Sequence, residues 1–146
     1  MKAYLLVSLL ILSTISNCKA EVTKAKVEGF FSTMAALYQP DMSENNLENY
    51  FAYVADDLTD YHAAYGVTMS GVVKPREAYI QRKPNNISYK LDIESLVLGT
   101  NTAVAVIKEN AKYIKQGKEK HFIGRTIYVL EFNSEGLIHH MRRYLD

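Results

Sequence analysis

The sequence predicts one α+β domain, residues 21–146, in which a cone-shaped, strongly bent antiparallel sheet wraps around three N-terminal helices. Helical spacing of apolar residues is confined to the first half of the chain, whereas the pattern from Ile87 onward is that of strands joined by short turns. The last segment, Lys120–Asp146, predicts two long strands connected at Asn133–Gly136. Ile127–Leu130 is apolar at every position, so both faces of that strand should be covered.

The composition limits the functional classes that suit this chain. Its 146 residues carry a net charge of +1, so no strong electrostatic attraction to nucleic acid is expected. The single cysteine excludes an intramolecular disulfide and, because it lies in the leader, thiol catalysis in the mature domain. Tyrosine is frequent, with 11 copies, and a buried tyrosine hydroxyl requires a hydrogen-bond partner. A partly polar interior is therefore predicted.

The N-terminus, residues 1–20, predicts an export signal. A short basic start precedes the apolar run Leu5–Ile15, which is too short for a transmembrane anchor. Two processing routes are compatible with the residues that follow. Cys18–Ala20 suits a signal peptidase, whereas Ile15–Cys18 resembles a bacterial lipobox with lipidation of its cysteine. Both routes predict an exported protein, in a bacterial periplasm, with secretion or a lipid anchor as alternatives, and a membrane contact only in the lipidated form.

Three helices are predicted before the long strands. The first, Val22–Gln39, carries an apolar stripe and is stopped by Pro40. The second follows a cap at Asp41 or Ser43. The third, Pro75–Lys83, begins with a proline, whose missing N–H costs nothing at that position.

Five strands are predicted, with a loop at Gly66–Gly71 after the first of them. In that first strand Asp60 and His62 share one face. A bent sheet of this kind leaves a cavity at the mouth of the cone, and its apolar outer face predicts pairing with a second copy. The predicted strands are Leu58–Tyr65, Ile87–Leu98, Thr102–Ile114, a strand from Phe122 to Phe132, and Leu137–Leu145.

Three segments carry a resemblance that covers the whole mature chain. They are Ala55–His62 (ADDLTDYH), Gly71–Ile80 (GVVKPREAYI) and Leu130–Asp146, which pairs a strand and turn with the ending RRYLD. In this order they resemble the NTF2-like superfamily, in particular its SnoaL-like and ketosteroid isomerase groups. The second segment departs from the family pattern, because Lys74-Pro75 stands where a second glycine is usual. The fold implied by the resemblance hosts many functions, including binding without catalysis.

The resemblance also implies a site inside the cone. His62 matches the position of the isomerases' catalytic aspartate base, and Tyr128 matches their protonated aspartic acid, which donates to the oxyanion. The isomerases' helix-one tyrosine is missing, because Thr33 or a neighbour stands there. With the register taken here, Arg143 points inward, whereas a slip of one residue would bring in His140 and Arg142 instead. The further residues predicted to contact a ligand are His139, Met141, Phe31, Met34, Phe51 and Leu130.

Two functions follow from these residues. The first is a protein that binds a small apolar or aromatic molecule without catalysis, which the missing tyrosine and the absence of an acidic base favour. The second is an isomerase, cyclase or lyase in which His62 is the general base, Tyr128 donates to an enolate and Arg143 holds an anionic group. No cofactor and no metal site are predicted. His139 and His140, as neighbours on a strand, should point to opposite faces and so not chelate together.

Overall fold

The computed structural model describes residues 21–146, and the predicted export signal with Cys18 lies outside the described residues. No helix within the described range is long and apolar enough to cross a membrane. The helices are Lys24–Leu37 (α1), Glu44–Phe51 (α2) and Val73–Arg82 (α3). The strands are Val54–His62 (β1), Val67–Ser70 (β2), Asn86–Leu98 (β3), Thr102–Lys115 (β4), Lys118–Phe132 (β5) and Ile138–Leu145 (β6).

The helices begin where side chains can satisfy the first free backbone N–H groups. Thr23 caps α1 by accepting a hydrogen bond from the backbone N–H of Lys26 at 3.2 Å. Ser43 caps α2 in a reciprocal arrangement in which the Asn46 side chain accepts from the Ser43 backbone N–H. The predicted helix starts are thus confirmed to within two residues, and Ser43 rather than Asp41 is the cap.

Gly29 lies in the middle of α1, where glycine costs ~1 kcal/mol relative to alanine. A Cβ built on Gly29 would overlap the hydroxyl of Tyr53, which follows α2. The ring of Tyr53 also packs edge-on against Phe30, with centroids 6.2 Å apart. The glycine therefore allows the α2–β1 connection to approach α1 closely.

The six strands form one open sheet in the order β2-β1-β6-β5-β4-β3. The strand pairs are antiparallel except for β1 and β6, which run parallel. The prediction of a wholly antiparallel sheet was wrong at this pair. It also missed β2, which occupies most of the predicted loop Gly66–Gly71. Neither feature has a local signal, since β1 and β6 meet only through the fold and β2 has four residues.

The core lies between the helices and the inner face of the sheet. Small residues on β4, Ala103 and Ala105, are fully buried there. The Phe31 ring of α1 contacts Tyr128 of β5, with centroids 5.2 Å apart. The largest fully buried side chains are Phe30, Phe31, Met34, Leu37, Leu47, Tyr50, Leu58, Ile107, Leu130 and Ile138.

A bulge in β6 changes which of its residues face the core. Glu131 pairs with His140, but the next residue, Phe132, pairs with Ile138, so one residue of β6 is extra. Beyond the bulge Arg143 faces inward, as predicted. The bulge itself places Ile138 in the core, where His139 was expected. The rings of His139 and His140 lie 4.2 Å apart, so the prediction that they point to opposite faces was wrong.

Candidate functional site

A cavity of about 470 Å³ opens between the inner face of the sheet, the end of α1 and the helix α3. Its size falls in the range usual for small-molecule sites. Six tyrosines contribute to its lining, together with a small number of charged or polar groups. The lining residues with polar side chains are Tyr38, Tyr50, Tyr65, Tyr79, Tyr113, Tyr128, Asp60, His62, Arg82, Glu109, Thr126 and Arg143.

His62, Tyr128 and Arg143, three of the predicted site residues, line this cavity together. Their meeting follows from strand alternation and pairing. His62 of β1 lies beside Arg143 of β6, and Arg143 lies beside Tyr128 of β5. Residues in register on adjacent strands point to the same face of the sheet, so all three side chains point into the cone.

The floor of the cavity holds a buried ion pair between Asp60 and Arg143. The Arg143 Nε–H donates to Asp60 Oδ1 at 3.0 Å, and Nη2 donates to Oδ2. Both side chains are almost wholly buried, at 3% exposure for Asp60 and 9% for Arg143. This bidentate pairing neutralises both charges. Nη1 takes no part in the pair, so Asp60 does not use its N–H groups.

His62 is neutral at neutral pH. Burial and the positive charge of Arg143 lower its pKa to about 4, and the carboxylate of Asp60 offsets only part of this shift. Its ring also packs against Tyr65 at the cavity wall, with centroids 5.7 Å apart. A neutral imidazole can accept a proton or a hydrogen bond, but it cannot act as a cation toward an anionic ligand.

The hydroxyls of Tyr50, Tyr79 and Tyr128 remain protonated donors across the neutral pH range. Burial raises the pKa of Tyr50 to about 12, and burial also raises the pKa of Tyr79. Burial and the nearby carboxylate of Glu109 raise the pKa of Tyr128. The Tyr128 hydroxyl donates to Glu109 Oε1 at 3.4 Å, so its proton is already directed at a protein acceptor. The cavity wall is thus rich in neutral donors.

Glu109 is the charged residue of β4 that the sequence analysis missed, and several lining tyrosines were missed with it. It lies on β4, half-buried, and lines both this cavity and a neighbouring one of about 430 Å³. The predicted absence of an acidic base rested on β1 alone. One signal was present in the sequence: Glu109 has the same strand parity as Ala103, Ala105 and Ile107, all fully buried.

The remaining predicted ligand contacts do not line the cavity. Met141, Leu130 and three helical residues lie in the hydrophobic core instead. His139 sits half-buried at the β6 bulge and is likewise absent from the lining. Phe31 contributes indirectly, since its ring packs edge-on against the ring of Tyr128, which does line the cavity. The helical residues placed in the core are Phe31, Met34 and Phe51.

Within residues 21–146, no group of three or more potential ligand residues is arranged to hold a metal ion. His139 and His140 come together at the bulge but have no third ligand among the described residues. The neighbouring Arg142 of β6 pairs with Glu131 at 3.1 Å.

The comparisons with known proteins rest on three-dimensional structure. No family model and no curated protein sequence matches the chain. An NTF2-like protein from Exiguobacterium sp. 255-15 superposes with a TM-score of 0.68 at 14% identity, over 83% of this chain and 98% of that one. A protein described as a SnoaL-like polyketide cyclase, from Shewanella denitrificans OS-217, gives 0.69 at 12% identity, over 85% and 92%.

A third structure is described as a ketosteroid isomerase, from Kribbella flavida DSM 17836. It gives a TM-score of 0.60 at 14% identity, over 84% of this chain and 76% of that one. The chain has the NTF2-like fold. This confirms the fold predicted from the sequence, whereas identities this low say nothing about ligand or reaction.

Within the NTF2-like fold of this chain, the Asp60–Arg143 pair should dominate the stability of the site. We expect Arg143→Met to lower the free energy of unfolding by about 3–5 kcal/mol, because Asp60 is left buried without a cation. The double variant Asp60→Leu/Arg143→Met should recover most of that loss, since no unpaired charge remains. Urea unfolding followed by circular dichroism measures both.

Arg142→Met is the matched control, because Arg142 is the next residue and forms an exposed ion pair with Glu131, with 48% of its side chain exposed. We expect that change to cost ~0–1 kcal/mol. Equal losses for the two arginine variants would contradict the structural role assigned to the buried pair.

Proposed function

We propose that this chain is an exported protein whose cavity binds a small, largely apolar or aromatic molecule. The proposal is supported chiefly by a cavity of about 470 Å³ that is open and lined by six tyrosines. Aromatic rings supply contact area to a flat apolar ligand, and a few convergent polar groups fix its orientation. Export is proposed from residues 1–20, and the mass of the protein recovered from a periplasmic fraction distinguishes cleavage from lipidation.

The polar groups favour a ligand that carries a carbonyl or similar acceptor. Arg143 retains Nη1 as a donor, and the raised pKa values of Tyr50 and Tyr79 keep those phenols protonated. The charge of Arg143 is already balanced by Asp60, so a full anion gains less here than at an unpaired arginine. Beside Arg143, a neutral acceptor therefore suits the arrangement better than an anion.

Binding is tested with phenylacetone, which combines an aromatic ring with one carbonyl group. We expect saturable binding to residues 21–146, measured by chemical-shift changes in NMR spectra. Ala111→Trp should abolish it, because Ala111 lines the cavity and the larger side chain would fill it. Ala25→Trp, on the exposed side of α1, is the control and should bind as the parent does. Binding that is unchanged by Ala111→Trp would refute the cavity as the site.

A second candidate function is proton abstraction beside a carbonyl, with His62 as the base and Tyr128 as the oxyanion donor. It is supported by the neutral state of His62 inside the cavity. Against it, a lowered pKa makes His62 a weaker base, and Tyr128 already donates to Glu109. These two observations are the reason why binding is preferred.

The catalytic candidate predicts that the protein accelerates deuterium exchange of the methylene protons of phenylacetone in heavy water. Because only neutral His62 accepts a proton, the rate should be level above pH about 5 and fall as the pH approaches its pKa of about 4. His62→Gln should lower the rate ~100-fold or more. NMR integration follows the exchange, with His121→Gln as an exposed-histidine control. Binding without exchange would leave the protein a binding module.

We also propose that two copies pair through the outer face of the sheet. Val104 and Val129 lie side by side there, as do Val106 and Ile127, on the face opposite the core. On the next strand, β3, Val97 lies beside Val104 and is 67% exposed. A continuous apolar band of this kind is typical of a partner surface.

The pairing is tested by Val129→Lys, which places a charge in the centre of that band. We expect residues 21–146 to be a dimer by light scattering at micromolar concentration and the variant to be a monomer. Ile80→Lys, which changes an exposed apolar residue of α3 away from the sheet, is the control and should remain dimeric. A monomeric parent protein over the whole concentration range would rule out the dimer.

A further inference from the structure

Glu109 stands out among the inward-facing charges because no cation compensates it. Among residues 21–146, no lysine, arginine or histidine lies within ion-pair distance of its carboxylate. Asp60, the other carboxylate in the cavity lining, is held by two hydrogen bonds from Arg143. Glu109 does accept a hydrogen bond from the neutral hydroxyl of Tyr128.

The surroundings of Glu109 are aromatic. Tyr38 and Tyr113 line both cavities with it, Tyr128 lines the first and Tyr89 lines the second. The rings of Tyr38 and Tyr89 stack with centroids 4.7 Å apart, which holds this wall in place. The second cavity, of about 430 Å³, thus shares part of its lining with the first cavity. Glu109 is one of the shared residues and lies at the junction of the two.

This combination favours a cationic group on the ligand. A partly buried carboxylate is costly unless a positive charge accompanies it, and a phenol donor supplies a hydrogen bond without charge. The faces of tyrosine rings attract cations, and the attraction grows when water is excluded. In the first cavity Asp60 balances Arg143 and His62 is neutral, so Arg82 is the cation of this lining whose charge a cationic ligand would meet.

Three basic residues lie at the rim, namely Arg82, Lys112 and Lys115. All three are exposed to solvent, so water and salt screen their charge. Lys112 has the opposite strand parity from Glu109, and Lys115, which shares that parity, is the last residue of β4. The rim charges are thus screened by solvent, whereas the carboxylate of Glu109 is half-buried.

We propose that the ligand of this cavity is an aromatic or apolar amine, whose protonated nitrogen is held by the carboxylate of Glu109 between the rings of the neighbouring tyrosines. The proposal rests on the cavity being a small-molecule site, as argued above, and it names the chemical class of that ligand. One end of the ligand contacts Arg143, and the amine lies at the junction with the second cavity.

The test compares three probes with the same ring and nearly the same length: phenethylamine, phenethyl alcohol and phenylacetate. Their dissociation constants from residues 21–146 are measured by calorimetry at neutral pH. We expect phenethylamine to bind about 10- to 100-fold more tightly than the alcohol, as a charge-assisted hydrogen bond predicts. Phenylacetate should bind more weakly than either.

Two variants test whether the preference for the amine depends on the carboxylate of Glu109. Glu109→Gln should remove the advantage of the amine over the alcohol, and Glu109→Asp should give an intermediate loss of that advantage with the charge retained. Glu119→Gln, an exposed carboxylate at the β4–β5 hairpin, is the control and should bind all three probes as the parent does. Circular dichroism confirms that each variant is folded.

The outcomes separate this inference from the proposed function. If phenylacetone and phenethyl alcohol bind but the amine has no advantage, or keeps its advantage in Glu109→Gln, the amine assignment is overturned and the cavity remains a ligand site. A preference for phenylacetate overturns it in favour of an anion held by the basic rim. Failure of all four probes to bind removes the proposed function and this inference with it.

Discussion

The buried pair between Asp60 and Arg143 is the interaction on which the site depends. It joins β1 to β6, two strands that lie parallel although they are far apart in the chain. Because both side chains are almost wholly buried, each charge is tolerable only in the presence of the other. The pair therefore favours the register in which Asp60 of β1 and Arg143 of β6 come together.

The same pair sets the electrostatics of the cavity. The positive charge of Arg143 contributes to the lowered pKa of His62, which keeps that ring neutral. The opposite charge of Asp60 cancels most of the field that Arg143 would otherwise project toward a ligand. What remains is a wall of protonated phenols with one uncompensated carboxylate, Glu109. Under the proposed function, such a site would distinguish ligands by their donors, acceptors and ring shape, and by a cation near Glu109.

The fold supports binding and catalysis equally well, so the distinction between them lies in the side chains. An isomerase mechanism needs a base and a donor whose proton is available to the developing oxyanion. Here the candidate base, His62, is weakened by its surroundings, and the hydroxyl of Tyr128 is directed at Glu109. The weak basicity of His62 and the direction of the Tyr128 hydroxyl depend on the charged groups around them, so the residue types alone do not reveal them.

The inward positions of His62, Tyr128 and Arg143 were implied by the family resemblance together with an assumed strand register. The α+β class and the order of the helices and long strands could be predicted from the residues themselves. These features follow from the periodicity and alternation of apolar residues along the chain. Such patterns are local and do not depend on which strands pair. Only the tertiary structure decided the parallel pairing of β1 with β6, the bulge that brings His139 beside His140, and the ion pair of Asp60 with Arg143. It also decided that Glu109 faces the cavity without a cation, because the partner of a side chain depends on strands that are distant in sequence.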